Sequence, residues 1–449
     1  MANCHGIVIV FYVLDTIIEI WLWRLTHNPM NLKRRGDDCF TPVTGYSDAM
    51  TVDPARQTKR FARRREEILD VASNLINVHG TRGMTLTAVA KALGLDTSSV
   101  TYYFKRKDLL AAACLERTLL WLRDVAVAAA REPDPRGRVR AFLDEQFALH
   151  RRQRDPKVAR LALLSDLGAL DADARAPLDE LYAEMFRAVR GFFDFGDTPG
   201  AKSRSLISAA VLIQNVHWTP AWLPHYLTRD LDRAAARLFD ILDHGLGVGR
   251  DWPLDITPLD PPDGGDAQTR FLHAATNLIN RESYIGASVE KIAAELGVST
   301  GSFYHHLENK DDLVVACFDR SYMLLDTAQA RADAAARDEG ERLAIMASSL
   351  IALQFAGESP LLRTNAYQAL PIELRGRMLQ RTDQVTRHVA GTIADGIADG
   401  SIRAVDPEIA GHAVMATIDA AASLRRWAAI KPLHGAVEQF TAALRFGIF

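Results

Sequence analysis

Apolar residues recur along much of the chain at steps of three and four residues, which is the spacing of one face of an α-helix. A clear example begins near residue 68, where the apolar positions sharing a face are Ile68, Leu69, Ala72, Leu75 and Ile76. His79-Gly80 is predicted to end this helix. Almost no segment alternates apolar and polar residues with a period of two, so strands are not expected. The pattern predicts an all-α fold.

The chain contains a large internal repeat. With a constant offset of 203 and no gap, residues 69–122 align with residues 272–325. The identical pairs include Leu69/Leu272, Asn77/Asn280, Gly94/Gly297, Thr97/Thr300, Lys107/Lys310, Cys114/Cys317 and Arg117/Arg320. A period this long is typical of duplicated domains and exceeds that of a solenoid repeat. Two tandem units are therefore expected.

Each copy carries the signals of a helix-turn-helix. In copy one, Thr85 is a predicted N-cap for a short second helix, and Gly94 supplies the turn that follows it. A third helix is predicted from Thr97 through Phe104. In copy two, Ser288 takes the place of the cap, Gly297 begins the turn, and the recognition helix is predicted over residues 300–306. The second helix of such a motif enters the major groove of DNA.

These residues resemble the tetracycline-repressor (TetR) type of bacterial transcription regulators. The string GSFYHHLENKDDL of copy two, residues 301–313, is similar to that family's recognition-helix pattern. Copy one, SSVTYYFKRKDLL, departs from it where Ser98 replaces the glycine and Thr101 replaces a tyrosine that faces phosphate in the family. The resemblance implies two units, each a three-helix head followed by a helical body that binds a small effector and pairs with another body.

The two copies differ in charge. Residues 51–110 hold 11 Lys/Arg and 6 Asp/Glu, a sum of +5, whereas residues 254–313 hold 4 and 10, a sum of -6. Cations that neutralise phosphates supply most of the sequence-independent affinity for DNA. Copy one is therefore expected to bind DNA more strongly, although the whole chain has a net charge of -3.

The candidate contacts to DNA are hydroxyl, aromatic, imidazole and basic side chains on or beside the helix-turn-helix of each copy. In copy one they are Arg60, Arg63, Arg64, Thr85, Thr97, Ser98, Ser99, Thr101, Tyr102, Tyr103, Lys105 and Lys107. In copy two they are Ser288, Thr300, Gly301, Ser302, Tyr304, His305, His306 and Lys310. Packing within the head is the alternative for the aromatic residues, and it is favoured for Phe104.

The domain limits follow from the repeat and from a segment rich in Pro, Gly and Asp. We expect an N-terminal extension (1–50), a first head (51–107), a first body (108–247), a linker (248–267), a second head (268–310) and a second body (311–449). The linker residues break regular structure.

The effector pocket is expected among polar and aromatic residues of body one, because apolar pockets with a few polar groups are the usual ligand sites. The candidates are Gln214, His217, Trp218 and Trp222. Two modes of pairing remain open. The two bodies could form a pseudo-dimer inside one chain, or two chains could associate while the acidic head serves as a structural or partner-binding module.

Residues 7–25 are strongly apolar but contain Asp15, Glu19 and Arg24, which are costly inside a bilayer. No positive residue precedes the apolar run, so a secretory signal is not indicated. Three hypotheses remain: an upstream extension with the true start at Met30 or Met50, a docking or interfacial helix, and a membrane anchor.

Several other classes of function lack sequence support. The chain contains no GxSxG, Walker A or HExxH motif, and no GxGxxG follows a strand, so we do not expect an enzyme or a cofactor. Its four cysteines lack the spacing of a zinc site, which also fits a cytoplasmic protein with free thiols. The leading prediction is a DNA-binding regulator, most simply a ligand-responsive repressor that binds operator DNA. The alternative is an interaction protein in which one or both heads no longer bind DNA.

Overall fold

The computed structural model describes residues 59–155, 157–259, 267–297, 309–356, 361–362 and 372–449. Within these ranges the chain consists of α-helices, short 3-10 helices and turns, with no strand and a single isolated bridge between Gly247 and Ile402. The predicted all-α fold is confirmed. No helix in this part of the chain is long and apolar enough to cross a membrane. Residues 1–58, with the apolar N-terminal segment, lie outside the described residues.

Unit one consists of a head and a larger body. Its head contains α1 (Lys59–Gly83), α2 (Leu86–Leu93) and α3 (Thr97–Tyr103). Its body contains α4 (Lys107–Ala129), α5 (Pro135–Arg152), α6 (Ala172–Arg190), α7 (Ala201–Trp222) and α8 (Leu231–His244). A 3-10 turn, Leu164–Ala169, lies between α5 and α6.

Unit two repeats this order. Its head contributes α9 (Ala267–Gly286) and α10 (Val289–Leu296). Its body contains α11 (Lys310–Ala335), α12 (Glu339–Ala356), α13 (Ile372–Asp399), α14 (Pro407–Ala422), α15 (Arg425–Ala429) and α16 (Leu433–Phe446). The predicted recognition helix of this unit falls outside the described residues.

The three helices of head one enclose a small apolar core. The residues that fill it are Ile68, Leu69, Ala72, Ile76, Val89, Ala90, Val100 and Phe104. They include four of the five positions that the sequence assigned to one face of the first helix. Helix α1 departs from the prediction at its end. The backbone leaves helical geometry at Gly80, with φ 69°, but a further turn continues to Gly83.

One asparagine in each unit connects the head to its body by hydrogen bonds. The Asn77 side chain donates to the carbonyl of Leu161 at 2.9 Å and accepts from the N–H of Leu163 at 2.8 Å. Asn280, its counterpart in the repeat, donates to the carbonyl of Leu361 at 2.9 Å. The segment held by Asn77 leads into the 3-10 turn of body one, which also contacts α9 of head two.

The two bodies pack together through α7 and α8 of unit one and α14 and α16 of unit two. At the crossing point the N–H of Leu246 donates to the carbonyl of Leu444, and the N–H of Ile448 donates to that of Leu242, both at 2.8 Å. Leu444 lies 202 residues after Leu242, and Ile448 lies 202 residues after Leu246. The contact is therefore reciprocal, as in an assembly with an approximate twofold axis.

The first part of the predicted linker packs against body two. Residues 251–256 have no regular secondary structure, and the N–H of Asp255 donates to the Ser348 hydroxyl at 2.9 Å. Arg331 donates to the carbonyls of Thr257 at 2.8 Å and of Pro258 at 3.1 Å. The prediction of irregular structure therefore fits this segment, while its contacts hold it on the surface of α11 and α12.

Candidate nucleic-acid interface

Local caps position the recognition helix of head one. The Thr85 hydroxyl accepts from the N–H of Ala88 at 3.0 Å, and Gly94 ends α2 in the left-handed region with φ 66°. Ser288 and Gly297 do the same in head two, where the hydroxyl accepts from the N–H of Lys291 at 3.3 Å. Thr85 and Ser288 therefore act as N-caps.

Helix α3 turns one face into the head and the other to solvent. Val100 is buried, whereas Thr97, Ser98 and Tyr102 are exposed. Ser99, Thr101 and Tyr103 are partly buried. The Thr101 hydroxyl donates to the carbonyl of Thr97 at 2.9 Å. The exposed face is one that could contact a major groove.

Three aromatic rings meet at the end of α3. The ring of Phe61, from α1, lies 4.6 Å from that of Tyr103 and 6.1 Å from that of Tyr102. The two tyrosine rings meet edge to face at 5.2 Å. Tyr102 nevertheless remains 65% exposed. The aromatic contacts connect the start of α1 with the recognition helix.

The basic residues of head one differ in how far they are neutralised within the protein. Arg63 and Arg64 both pair with Glu67, at 3.1 and 2.6 Å. Lys59, Arg60, Lys105 and Lys107 have no ion pair within the described ranges, and all four are exposed. These four side chains remain available for phosphate groups.

Arg106 lies between two such lysines but points toward carboxylates. It pairs closely with Asp108 and lies 3.7 Å from Asp171, the N-cap of α6. The hydrogen bond from Arg106 lowers the pKa of Asp108 below its ordinary value. Arg106 therefore connects the turn after the recognition helix with body one.

Head two lacks most of this positive charge. At the repeat offset of 203, Asp266 stands where head one has Arg63, Ala267 where it has Arg64, and Glu308 where it has Lys105. Lys310 begins α11, next to an asparagine cap at Asn309. The other predicted contacts of copy two lie outside the described residues: Thr300, Gly301, Ser302, Tyr304, His305 and His306.

The predicted effector residues all lie on α7, where body one meets body two. Trp218 donates from Nε1 to His412 Nδ1 at 3.0 Å, and the Trp222 ring stacks on that of His412 at 5.8 Å. His217 lies next to Tyr182, with ring centroids 6.3 Å apart. Gln214 is buried, and its Nε2 has no hydrogen-bond partner among the described residues. The four residues share one helix, but contacts to body two occupy both tryptophans.

Burial controls the titration of the histidines in this region. Loss of solvent lowers the pKa of His217 to about 4 and that of His412 to about 3. His150 on α5, which lies 3.1 Å from the Thr219 hydroxyl, has its pKa lowered by burial to about 4. All three imidazoles are neutral near pH 7.

An open cleft that the sequence did not predict lies in body two, between α11, α12 and α13. It has room for about one water molecule and is lined by Gln329, Ala332, Asp333, Arg342, Leu343, Met346, His388, Val389 and Thr392. Arg342 pairs with Glu339 at 2.6 Å and with Asp333 at 3.0 Å. The lining residues come from three consecutive helices of body two.

No group of residues suited to a metal ion occurs in the described part of the chain. Cys114 and Cys317 are buried, and their thiols point at the carbonyls of Leu69 and Leu272. Burial raises the pKa of Cys114 to about 11 and that of Cys317 to about 12. Both thiols stay protonated and pack as small core groups.

Comparison with known proteins agrees with this arrangement. Residues 68–114 and 271–317 match the family model described as bacterial regulatory proteins, tetR family. The HTH-type transcriptional regulator BetI of Burkholderia ambifaria is 34% identical over 86 residues, 19% of this chain and 44% of BetI. BetI of Rhizobium meliloti is 32% identical over 104 residues, 23% of this chain and 51% of BetI. The chain thus matches about half the length of these relatives.

Two solved structures each align with about two fifths of the chain. AibR, crystallised with isovaleryl coenzyme A and operator DNA, is 19% identical, with a TM-score of 0.35 over 41% of this chain and 100% of AibR. FadR of Bacillus subtilis, crystallised with stearoyl-CoA, is 20% identical, with a TM-score of 0.32 over 40% of this chain and 98% of FadR. The two family matches, spaced at the repeat offset, decide the assignment. The chain carries, in tandem, two domains of the tetR family of bacterial regulatory proteins, at residues 68–114 and 271–317.

Proposed function

We propose that the protein is a sequence-specific DNA-binding transcriptional regulator and that head one is its main contact with DNA. The observation that carries this proposal is the exposed face of α3, which lies beside cations that have no ion pair among the residues that the structure describes. Hydroxyl groups of Thr97 and Ser98 are suited to base edges, while Lys59, Arg60, Lys105 and Lys107 are suited to phosphates. The proposal places its action in the cytoplasm, where bacterial DNA is found.

We further propose that the two units form a pseudo-dimer within one chain. The reciprocal backbone hydrogen bonds between residues 242–246 and residues 444–448 support this arrangement. The domain limits proposed from sequence, with bodies at 108–247 and 311–449, fit a contact formed by the last helices of each body. Unlike heads on such a scaffold would read an asymmetric operator.

Head two is the weaker candidate for DNA contact. Its replacement of basic residues by Asp266 and Glu308 favours a structural or protein-binding role. Lys310, at the start of α11, is the basic residue of head two that the repeat retains from head one. An interaction protein with no DNA-binding head is the competing function.

The proposed effector site is the cleft of body two, and the proposed response is release of the operator. The cleft is small, and what supports the proposal is its lining, which combines apolar Leu343 and Met346 with polar Gln329 and Thr392, the mixture of groups expected of a ligand site. The four residues on α7 are a second proposed effector site, in body one. It is centred on Gln214, whose Nε2 has no hydrogen-bond partner among the described residues. A ligand that binds better to the arrangement unable to hold DNA would shift the population toward that arrangement, and the operator would be released.

The experiment that tests this proposal is a footprint of the full chain on the DNA that flanks its own gene, with unrelated competitor DNA present. We expect protection of a tract that contains at least one half-site. Two unlike half-sites would support two working heads, and one would support head one alone. Absence of protection at low salt, with a folded protein, would overturn the proposal in favour of the interaction protein.

A further inference from the structure

We propose that the paired faces of body one and body two are specific for each other, so that neither face pairs well with a second copy of itself. This inference rests on the pseudo-dimer proposed above and names the side chains that select the partner. It concerns which body pairs with which, and it does not depend on the binding of DNA.

The two faces can be compared residue by residue. Helices α8 and α16 correspond at an offset of 202, which also aligns Gly245 with Gly447. The same offset continues into α7 and α14 without a gap, where it aligns Ile207 with Ile409. In a pair of identical faces, every contact between residues i and j occurs twice. Each contact between the unlike bodies can therefore be checked for its counterpart. The two backbone hydrogen bonds at the crossing have one, since each is the counterpart of the other.

A buried hydrogen bond between the bodies occurs in one direction. Trp218 donates from Nε1 to His412 Nδ1 at 3.0 Å, and the two residues are 6% and 8% exposed. The counterpart positions hold Ala420 and Ala210, which cannot form this bond. On the same crossing, two copies of body one would place each Trp218 opposite an alanine. A buried N–H without an acceptor is costly, so that pairing is disfavoured. Two copies of body two would leave each His412 without the indole.

An ion pair between the bodies is also one-sided. Arg237 on α8 pairs with Asp406, the residue before α14. The counterpart positions hold Gln439 and Arg204. Two copies of body one would therefore place Arg237 opposite Arg204 at both ends of the crossing. Like charges facing each other across an interface oppose association.

Arg403 adds a second polar contact of this kind. Its guanidinium donates to the carbonyl of Asp240 at 2.8 Å and pairs with the Asp240 carboxylate, also at 2.8 Å. The counterpart positions hold Ala201 and Ala442. A pair of like bodies would keep either the arginine or the carboxylate on each side, but never both.

The last residue of the chain gives body two an aromatic group that body one lacks. The ring of Phe449 lies 5.8 Å from that of Phe193 and 6.5 Å from that of Phe239, both in body one. Arg136 lies over the same ring at 4.8 Å. The counterpart of Phe449 is Gly247, which has no side chain to offer. This aromatic contact also requires one body of each kind.

The backbone and the side chains thus have different roles at the crossing. The duplicated backbone bonds would fit any pair of these bodies, whereas the one-sided side-chain contacts form only between unlike ones. Specificity is a difference in affinity, and it is greatest when the wrong pair also meets an unfavourable contact. Arg237 opposite Arg204 supplies that contact for two copies of body one. The structure assigns the choice of partner to these side chains.

The test mixes two variants of the full chain. The first carries Asp406→Arg with His412→Ala, which changes the face of body two. The second carries Arg237→Asp with Trp218→Ala, which changes the face of body one. Within each variant chain the two faces now present like charges to each other. In a mixture, the intact body one of the first chain can pair with the intact body two of the second, and the two changed faces carry opposite charges.

We expect each variant alone to sediment as a single chain at micromolar concentration. The equimolar mixture should form a complex of one chain of each kind, with twice the mass. Its association should be at least about 10-fold tighter than self-association of either variant, because the mixture restores an ion pair at both crossings and a buried hydrogen bond at one. Sedimentation velocity over a range of concentrations measures all three.

Two controls accompany the mixture. Charge-only versions, Asp406→Arg alone and Arg237→Asp alone, keep the buried hydrogen bond and cover the case in which the double variants do not fold. Asp406 also caps α14 through the N–H of Ile409, but that loss is the same in the variant alone and in the mixture. A mixture of Asp124→Arg and Arg387→Asp, two exposed charge reversals on α4 and α13, should remain single chains.

The outcomes separate this inference from the proposals on which it rests. If the unchanged chain sediments as a dimer, the pseudo-dimer fails and this inference fails with it. If the unchanged chain is monomeric but either variant self-associates as tightly as the mixture, the faces accept their own copies and only the inference is wrong. A mixture of folded variants that does not associate would overturn it equally. The footprint tests the DNA-binding function separately.

Discussion

Gly245 and Gly447 hold equivalent places at the ends of α8 and α16, and each lies against the backbone of the other helix. A Cβ atom on Gly245 would lie 2.5 Å from the carbonyl carbon of Arg445, and a Cβ on Gly447 would lie 2.6 Å from that of Asp243. Both glycines have positive φ, 65° and 88°. The two segments that cross here therefore approach so closely that neither position has room for a side chain.

We expect Gly245→Ala and Gly447→Ala each to destabilise the contact between the bodies by at least about 2 kcal/mol, since backbone strain and a steric clash add. Urea unfolding of the full chain measures the loss. Gly249→Ala is the matched control, because Gly249 has φ 87° but nothing within 4 Å of an added Cβ. Equal losses at all three positions would attribute the effect to φ alone and contradict the close approach.

Removal of two unpaired cations should change the salt dependence of DNA binding. Each phosphate contact contributes about 0.9 to the slope of log affinity against log salt, so Arg60→Ala with Lys105→Ala should lower it by about 2. Fluorescence anisotropy at several salt concentrations gives the slope. Lys431→Ala, which removes a cation over Trp427 in body two, is the control. A slope that survives the double change would remove this surface from the DNA interface.

Lys310→Ala tests whether head two touches DNA. If the acidic replacements in head two have ended its contact with DNA, the Lys310→Ala variant should keep the DNA affinity and the salt slope of the unchanged chain. The same anisotropy titration measures both. A fall of about 0.9 in the slope would show that head two neutralises a phosphate through Lys310.

Acid should destabilise the fold through three buried histidines. His150 and His217 have pKa values of about 4 and His412 about 3, against 6.5 for an unburied histidine. Below pH 6.5 the unfolded chain binds protons that the folded chain excludes, so stability is lost as pH falls toward the folded pKa values. The free energy of unfolding should fall by up to about 4 kcal/mol per pH unit near pH 5.

Urea unfolding at pH 7 and at pH 5 measures this dependence. His217→Leu should reduce the difference by about a third, because one of the three groups is removed. An unchanged difference would mean that His217 is protonated in the folded protein.

Asn77→Ala should weaken the attachment of head one to body one. It removes the partner of the Leu163 N–H and of the Leu161 carbonyl, at a cost of about 1 to 3 kcal/mol for partly buried groups. Hydrogen exchange at the Leu163 amide should accelerate by one to two orders of magnitude. Asn280→Ala provides the comparison in unit two and should leave that amide protected. Equal exchange in the wild type and in Asn77→Ala would contradict the role of this side chain.

The repeat made the heads predictable, since the same caps and glycine turns occur twice. Thr85, Ser288, Gly94 and Gly297 act as the sequence indicates because capping is a local interaction. The surroundings of α7 could not be predicted. That helix is buried on nearly every side, so its apolar pattern does not show which face meets the partner body. The contact of Trp218 with His412 joins residues 194 positions apart, and no local signal marks it.

The intrachain pairing proposed for the two bodies would also be independent of dilution. Two separate subunits must meet from solution, so their pairing fails when a cell holds only a few copies. Domains joined by a short segment encounter each other at an effective concentration of the order of millimolar, whatever the number of molecules present. Occupancy of a binding site would then rise in proportion to copy number instead of with its square. A cell could therefore control this protein at very low expression, and mutations could alter one head without altering the other.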